Sequence, residues 1–246
     1  MGHPQTIEKI QEMKLHGMLL ALEEQAKDPD IQSLSFEERF GLLVEREWVV
    51  RQDRRLTNRL KTAKLKFQAC MEDIDYRAPR PGLDRTQMRS LATCDWVREH
   101  QGVIIVGPTG IGKTYLACAL ANKACREGFT ACYTRVPRLL HELSIARGDG
   151  SYLKLLGKLA RIDVLVMDDW GLSPPGDFER RDILEILEDR CEARSTIVTS
   201  QLPTKKWYEL LGEPTVADAI MDRLIHGSHK IQIKGPTMRD KKGKKK

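Results

Sequence analysis

Val103-Ile-Ile-Val106 runs directly into Gly107-Pro-Thr-Gly-Ile-Gly-Lys113-Thr114, and an apolar-striped helix follows. G-x-x-x-x-G-K-T between a strand and a helix is the spacing of a phosphate-binding loop. Small residues at Gly107 and Gly112 let backbone N–H groups curl around a β-phosphate. The next helix aims its partly positive N-terminus at the same anion. Lys113 is spaced to reach the β- and γ-phosphates, and the Thr114 hydroxyl to ligate Mg²⁺. Pro108, Thr109, Gly110 and Ile111 complete the loop, and Tyr115 continues into the helix. A nucleoside triphosphate is the expected ligand. The loop reads phosphates and not the base, so ATP and GTP stay open at this point.

Val164-Leu-Val-Met-Asp168-Asp169 supplies the second half of such a site, about 55 residues on. An apolar strand that ends in two carboxylates delivers them to the sheet edge where ligands sit in open α/β sheets. Asp168 is expected to hold Mg²⁺, and Asp169 to orient or deprotonate an attacking water. A third β-rich run, Ser195-Thr-Ile-Val-Thr-Ser200, ends in Thr199-Ser200-Gln201. Its end opens into the same crevice, where a polar group meets the γ-phosphate or the water. Spacing alone does not say which of the three points inward.

Composition is compatible with this reading. The 246 residues are 41% hydrophobic, with formal net charge +6 and pI near 9.0, which favours polyanionic partners. No run reaches the length of a membrane span and no signal-peptide core opens the chain, so a cytoplasmic protein is expected. Cys70, Cys94, Cys118, Cys125, Cys132 and Cys191 include no C-x-x-C pair, and the histidines show no ligand spacing, so no zinc is expected. Cys118 and Cys125 read as packing residues of the helix after the loop.

Residues 1–78 read as a small all-helical domain, 79–240 as the α/β core, and 241–246 as a basic, disordered tail. Leu15, Met18, Leu19, Leu22 and Ala26 form one apolar stripe, broken by Asp28-Pro29-Asp30. Ser35-Phe-Glu-Glu38 is a capping box, and periodicity then continues to about Phe67, a helix on the order of 50 Å long. Ala78-Pro-Arg-Pro-Gly82 reads as a linker. Beyond it, strands are expected at 103–106, 129–134, 163–167, 195–200 and 229–234. Helices are expected at 113–126, 137–146, 151–161, 178–192, 204–211 and 215–226. That alternation implies a five-stranded parallel sheet.

The long helix carries Arg51, Arg54, Arg55, Arg59, Lys61, Lys64 and Lys66 against Asp53 alone. Arg51, Arg55 and Arg59 share a face beside the Leu56/Leu60/Ala63/Phe67 stripe. Such a helix can dock by its apolar side and offer cations to DNA phosphates. Residues 1–80 hold 14 basic and 14 acidic side chains, so the stripe is basic and the domain is not.

Together with Ile197-Val-Thr-Ser-Gln-Leu-Pro203 and Ile220-Met-Asp-Arg-Leu-Ile225, these motifs resemble AAA+ ATPases. Within them the chain is similar to IstB, the ATPase helper of insertion-sequence transposition, with DnaC-type helicase loaders as relatives. Leu15-His-Gly-Met18, Phe36-Glu-Glu-Arg-Phe40 and the Arg/Lys helix extend the resemblance to the N-terminal region. It implies an αβα core without a C-terminal lid. It also implies that Gln201 stands at the sensor position and that Arg223 is an arginine finger reaching a neighbour's nucleotide. Arg239, in Gly235-Pro-Thr-Met-Arg239, matches a second nucleotide-contacting arginine, with Thr237 in place of serine. Lys113, Asp168, Asp169, Gln201 and Arg223 are thus the candidate catalytic set, with ATP and Mg²⁺ as cofactors. Double-stranded DNA, a transposase and further copies of the chain are the implied partners. Asp169 departs from the commoner Glu and reaches one methylene less far. A replicative-helicase loader is the alternative on the same ATPase, separated by its partner.

Overall fold

Five short β-prone runs pair into one sheet because a helical connection between each strand and the next returns the chain to the edge where parallel strands begin. The computed structural model describes residues 4–77 and 80–238. Its strands are β1 (Gly102–Val106), β2 (Ala131–Arg135), β3 (Val164–Trp170), β4 (Ser195–Ser200) and β5 (Ser228–Gln232). All four pairings are parallel, in the order β2-β3-β4-β1-β5. Chain order and spatial order therefore differ: β4 lies between β1 and β3. The ends of β1, β3 and β4, which carry the phosphate loop, the two aspartates and Thr199–Gln201, consequently stand side by side.

The helices are α1 (Pro4–Glu12), α2 (His16–Gln25), α3 (Phe36–Ala63), α4 (Arg85–Leu91), α5 (Asp95–Arg98) and α6 (Lys113–Arg126). After them come α7 (Val136–Asp149), α8 (Tyr152–Arg161), α9 (Asp177–Arg190), α10 (Trp207–Leu211) and α11 (Pro214–Ile225). Ile104, Val106, Leu165, Met167 and Val198 join one apolar cluster with residues of α7 to α11. The alternate strand residues Val103, Ile105, Val166 and Ile197 are buried on the other face. There α6 packs against β2, β3 and β4, with Leu116 to Ala121, Ala124 and Cys125 all buried. Cys118 and Cys125 thus pack the core, and burial pushes the Cys125 thiol up to about 11.

The expected strands and core helices form, with ends displaced by up to three residues. Two helices were not expected, α4 and α5. The first begins with Asp84, whose carboxylate accepts from the Thr86 and Gln87 amides. The long helix ends at Ala63 rather than near Phe67, because Lys64 takes a left-handed φ of 50°. Its 28 residues span about 42 Å. The capping box is present, with Ser35 N donating to Glu38 Oε2 at 2.8 Å and Glu38 N to Ser35 Oγ at 3.3 Å.

Two compact units divide between Asn58 and Arg59, some twenty residues before the boundary expected from sequence. The reason is local: Arg59 Nη1 donates to the Cys125 carbonyl at 2.9 Å, Phe67 meets Tyr115, and Arg126 pairs with Glu72. Residues 59–77 therefore pack on α6. Within the first unit, α2 crosses α3 closely enough that a Cβ on Gly17 would stand 2.5 Å from Glu47 Cα. The buried Glu47 carboxylate accepts from the Gly17 and Met18 amides at 2.7 and 3.2 Å, capping α2 from a neighbouring helix. Among the described residues no helix is long and apolar enough to cross a membrane. Ala78 and Pro79 of the expected linker, Arg239 and the lysine tail lie outside the described residues.

Candidate nucleotide site

The phosphate loop folds as its spacing requires. Gly110 and Gly112 take φ of 80° and 101°, conformations that only glycine adopts at low cost. A Cβ on Gly107 would stand 2.5 Å from the Ile233 carbonyl oxygen, and one on Gly110 2.1 Å from Thr237 Oγ1. The segment after β5 therefore lies against the loop, and Met238 N donates to Gly110 O at 2.8 Å. Lys113 is 9% exposed, and its ammonium donates to the Pro108 carbonyl at 3.0 Å across the loop.

Asp168 is fully buried at the end of β3 and collects four polar groups. Thr114 Oγ1 donates to Oδ1 at 2.8 Å, Thr199 Oγ1 donates to the same oxygen, and Tyr133 OH donates to Oδ2 at 2.6 Å. Lys66 Nζ stands 3.9 Å from Oδ2. Thr114 and Asp168 present adjoining oxygen donors below the loop, the donor set a hard divalent cation takes. The Tyr133 hydroxyl is held un-ionised, pushed far up by burial and by its bond to the Asp168 carboxylate.

Asp169 lies where β3 slips register against β4, between Met167 and Trp170. It is left-handed, φ 61°, and its N–H donates to Thr199 Oγ1 at 3.3 Å. This irregularity turns the second carboxylate into the cleft, while the first stays behind the sheet edge. Arg135, the last residue of β2, donates from Nε to Asp169 Oδ2 at 2.7 Å, and the contact raises the arginine's pKa. Gln201 faces the loop, accepting from Thr109 Oγ1 at 2.7 Å. Of the three candidate residues at this strand end, Thr199 serves Asp168, Ser200 donates to the Trp170 carbonyl, and Gln201 lines the cleft.

These groups surround a cleft of about 960 Å³ lined by Gly110, Gly112, Lys113, Thr114, Asp169 and Gln201. Its remaining wall includes Phe67, Tyr115 and Arg80. Sequence reasoning missed Thr199's role, Tyr133, Arg135 and Arg80. For Thr199 and Arg135 a hydroxyl or cation at a strand end was the only signal, and pairing order is needed to use it.

The basic stripe is less free than its spacing suggests. Arg51 pairs with Glu47 at 2.6 Å, and Arg59 is spent on Cys125. Lys66, expected from sequence among the DNA contacts, lines the nucleotide cleft, because the chain turns at Lys64 and carries the side chain toward Asp168. Arg54, Arg55, Lys61 and Lys64 are exposed. Arg223, near the end of α11, pairs with Glu188 and donates to the Ala219 carbonyl at 3.0 Å. It lines a hollow with Gly102 and Ser228, where β1 and β5 begin. Its own phosphate loop starts where β1 ends, about 16 Å away along five residues.

The family model for an IstB-like ATP binding protein matches residues 8–246. The insertion sequence ATP-binding protein y4pL of Sinorhizobium fredii is 49% identical over 239 residues, 97% of each chain. Among solved structures, DnaI superposes with a TM-score of 0.59 at 25% identity, covering 68% of this chain and 91% of that one. The DnaC helicase loader does so at 0.56 and 23%, covering 70% and 99%, a likeness of fold. With a phosphate loop, a buried carboxylate under it and a match along nearly its whole length, this chain belongs to the IstB-like ATP-binding protein family.

Proposed function

We propose that this protein is an ATP-hydrolysing helper of DNA transposition, which assembles on double-stranded target DNA and recruits a transposase. The observation that carries the reading is the 2.8 Å bond between Thr114 and the buried Asp168 beneath the Lys113 loop, at the floor of a cleft that Thr114 lines and that is large enough for a nucleotide. Mg²⁺ held there by Thr114 and Asp168 would neutralise charge on the phosphates. Lys113 binds the β- and γ-phosphates, Asp169 orients the lytic water, and Gln201 sits at the γ-phosphate end.

Arg223 faces away from its own loop, so it acts on the nucleotide of a second copy. Hydrolysis then depends on assembly, because only adjoining copies complete the charge clamp. ATP stabilises that contact and hydrolysis loosens it. Arg54, Arg55, Lys61 and Lys64 meet DNA phosphates through contacts that are strongly salt-dependent and indifferent to sequence. The transposase docks on the N-terminal helices, where Phe36, Phe40 and Trp48 are exposed at spacings of four and eight residues on α3. The name of the y4pL relative supports the insertion-sequence assignment.

Mass measurement of the protein with DNA and ADP, ATP or a non-hydrolysable analogue tests the proposal. Defined oligomers on DNA with ATP, lost with ADP, are expected. A single copy under every condition would reject it. The likeness to DnaI and DnaC favours a helicase loader as the second reading. Capture of a replicative helicase and not a transposase would select it.

A further inference from the structure

Arg80 is a cation placed where a cation needs an opposite charge. It is 9% exposed, and burial holds its pKa below the ordinary arginine value. Nη2 donates to the Asp75 carbonyl, whereas Nε is buried with no hydrogen-bond partner. Among the described residues no carboxylate stands in ion-pair contact with it, although Asp75 contributes a favourable field. A guanidinium withdrawn from water in this way is costly unless an anion meets it. The side chain lines the nucleotide cleft beside Gly110, Gly112 and Lys113. Its Nη1 lies 3.3 Å from the point a Cβ on Gly112 would occupy.

Loops of this spacing cradle the α- and β-phosphates with their backbone N–H groups. Arg80 therefore approaches the loop at its diphosphate part. The groups for the γ-phosphate, Gln201 and Asp169, come from the other side, at the ends of β4 and β3. A planar guanidinium suits phosphate oxygens better than a point charge does. We propose that Arg80 is a nucleotide-binding residue whose guanidinium donates to the α- or β-phosphate. The bound diphosphate supplies the counter-charge that the protein itself lacks. This inference rests on the nucleotide-binding reading above and extends it to the segment ahead of the sheet, outside the phosphate-loop motif.

Titration calorimetry with ADP and with a non-hydrolysable ATP analogue, on the full chain, tests it. Arg80→Gln is expected to weaken both ligands alike, by about tenfold or more, the effect of losing a charge-assisted hydrogen bond. Arg80→Lys, which keeps charge but loses the fork, is expected to recover part of the loss. The nucleotide-free melting temperature of Arg80→Gln is expected to hold or rise, since an uncompensated charge has been removed. Wild-type affinity for both ligands would overturn the inference. So would a loss confined to the triphosphate analogue, which moves the contact to the γ-phosphate. A fall in the nucleotide-free melting temperature with affinity intact would make Arg80 a staple for Asp75 instead. Lys113→Ala is the reference: if it also binds ADP normally, the phosphate-loop reading fails. If only Lys113→Ala loses binding, the loop reading stands and Arg80 alone is rejected.

Discussion

Arg135 Nε donates to Asp169 Oδ2 at 2.7 Å, so the carboxylate proposed to orient an attacking water is already engaged by a cation from the neighbouring strand. Both side chains are partly exposed, so the pair is worth at most about 1 kcal/mol. Arg135→Ala is accordingly expected to raise basal phosphate release by up to about fivefold, and Asp169→Asn to lower it by about 10²-fold. Release measured without DNA decides the point. An Arg135→Ala protein no faster than the parent would show that the pair does not restrain Asp169.

Lys66 stands beside the carboxylate that is proposed to hold Mg²⁺. Its ammonium lies 3.9 Å from Asp168 Oδ2 and is itself partly exposed. Lys66→Met is expected to lower the Mg²⁺ concentration for half-maximal turnover by about fivefold, the equivalent of about 1 kcal/mol. A Mg²⁺ titration of phosphate release reads this directly, and an unchanged midpoint argues that the lysine leaves the carboxylate at no cost.

Glu47 makes the first unit sensitive to acid. Burial opposes its ionisation, but hydrogen bonds from Arg51, Met18 and Gly17 outweigh this and hold its pKa below the usual glutamate value. A depressed folded-state pKa contributes stability above the unfolded value near 4.5, and that contribution is lost as pH falls through the folded pKa. Glu47→Gln is expected to cost about 1–3 kcal/mol at pH 7 and progressively less as pH falls below 4.5. A destabilisation that stays constant as pH is lowered through the acid range in denaturant melts would remove the charge from this account.

Arg223→Ala is expected to keep nucleotide affinity while lowering turnover in the DNA-bound assembly by about 10³-fold. Mixing it with an Asp169→Asn protein should restore part of the activity, because each variant supplies what its neighbour lacks. No recovery in the mixture would argue that the arginine serves its own copy.

The phosphate loop and the carboxylate strand were legible because their chemistry depends on local spacing: glycines where φ is positive, and acids where an apolar run stops. The five strands followed from alternation with helices. What stayed hidden depends on pairing order. Nothing near Thr199 in the sequence shows that β4 lies between β1 and β3, and only that insertion brings its hydroxyl to Asp168. The end of the long helix was hidden for another reason. Lys64 turns the chain without glycine or proline, and this turn brings Lys66 beside the Asp168 carboxylate. Arg223 is a different case. Its position away from its own loop agrees with a role implied by family resemblance, while the role itself awaits the mixing experiment.

The segment after β5 is tied to the phosphate loop by the Met238–Gly110 bond and by Thr237, whose hydroxyl fills the space beside Gly110. The loop cannot shift at Gly110 without dragging that segment along. A pull transmitted through Met238 is therefore expected to be felt at Gly110 as faster ADP exchange.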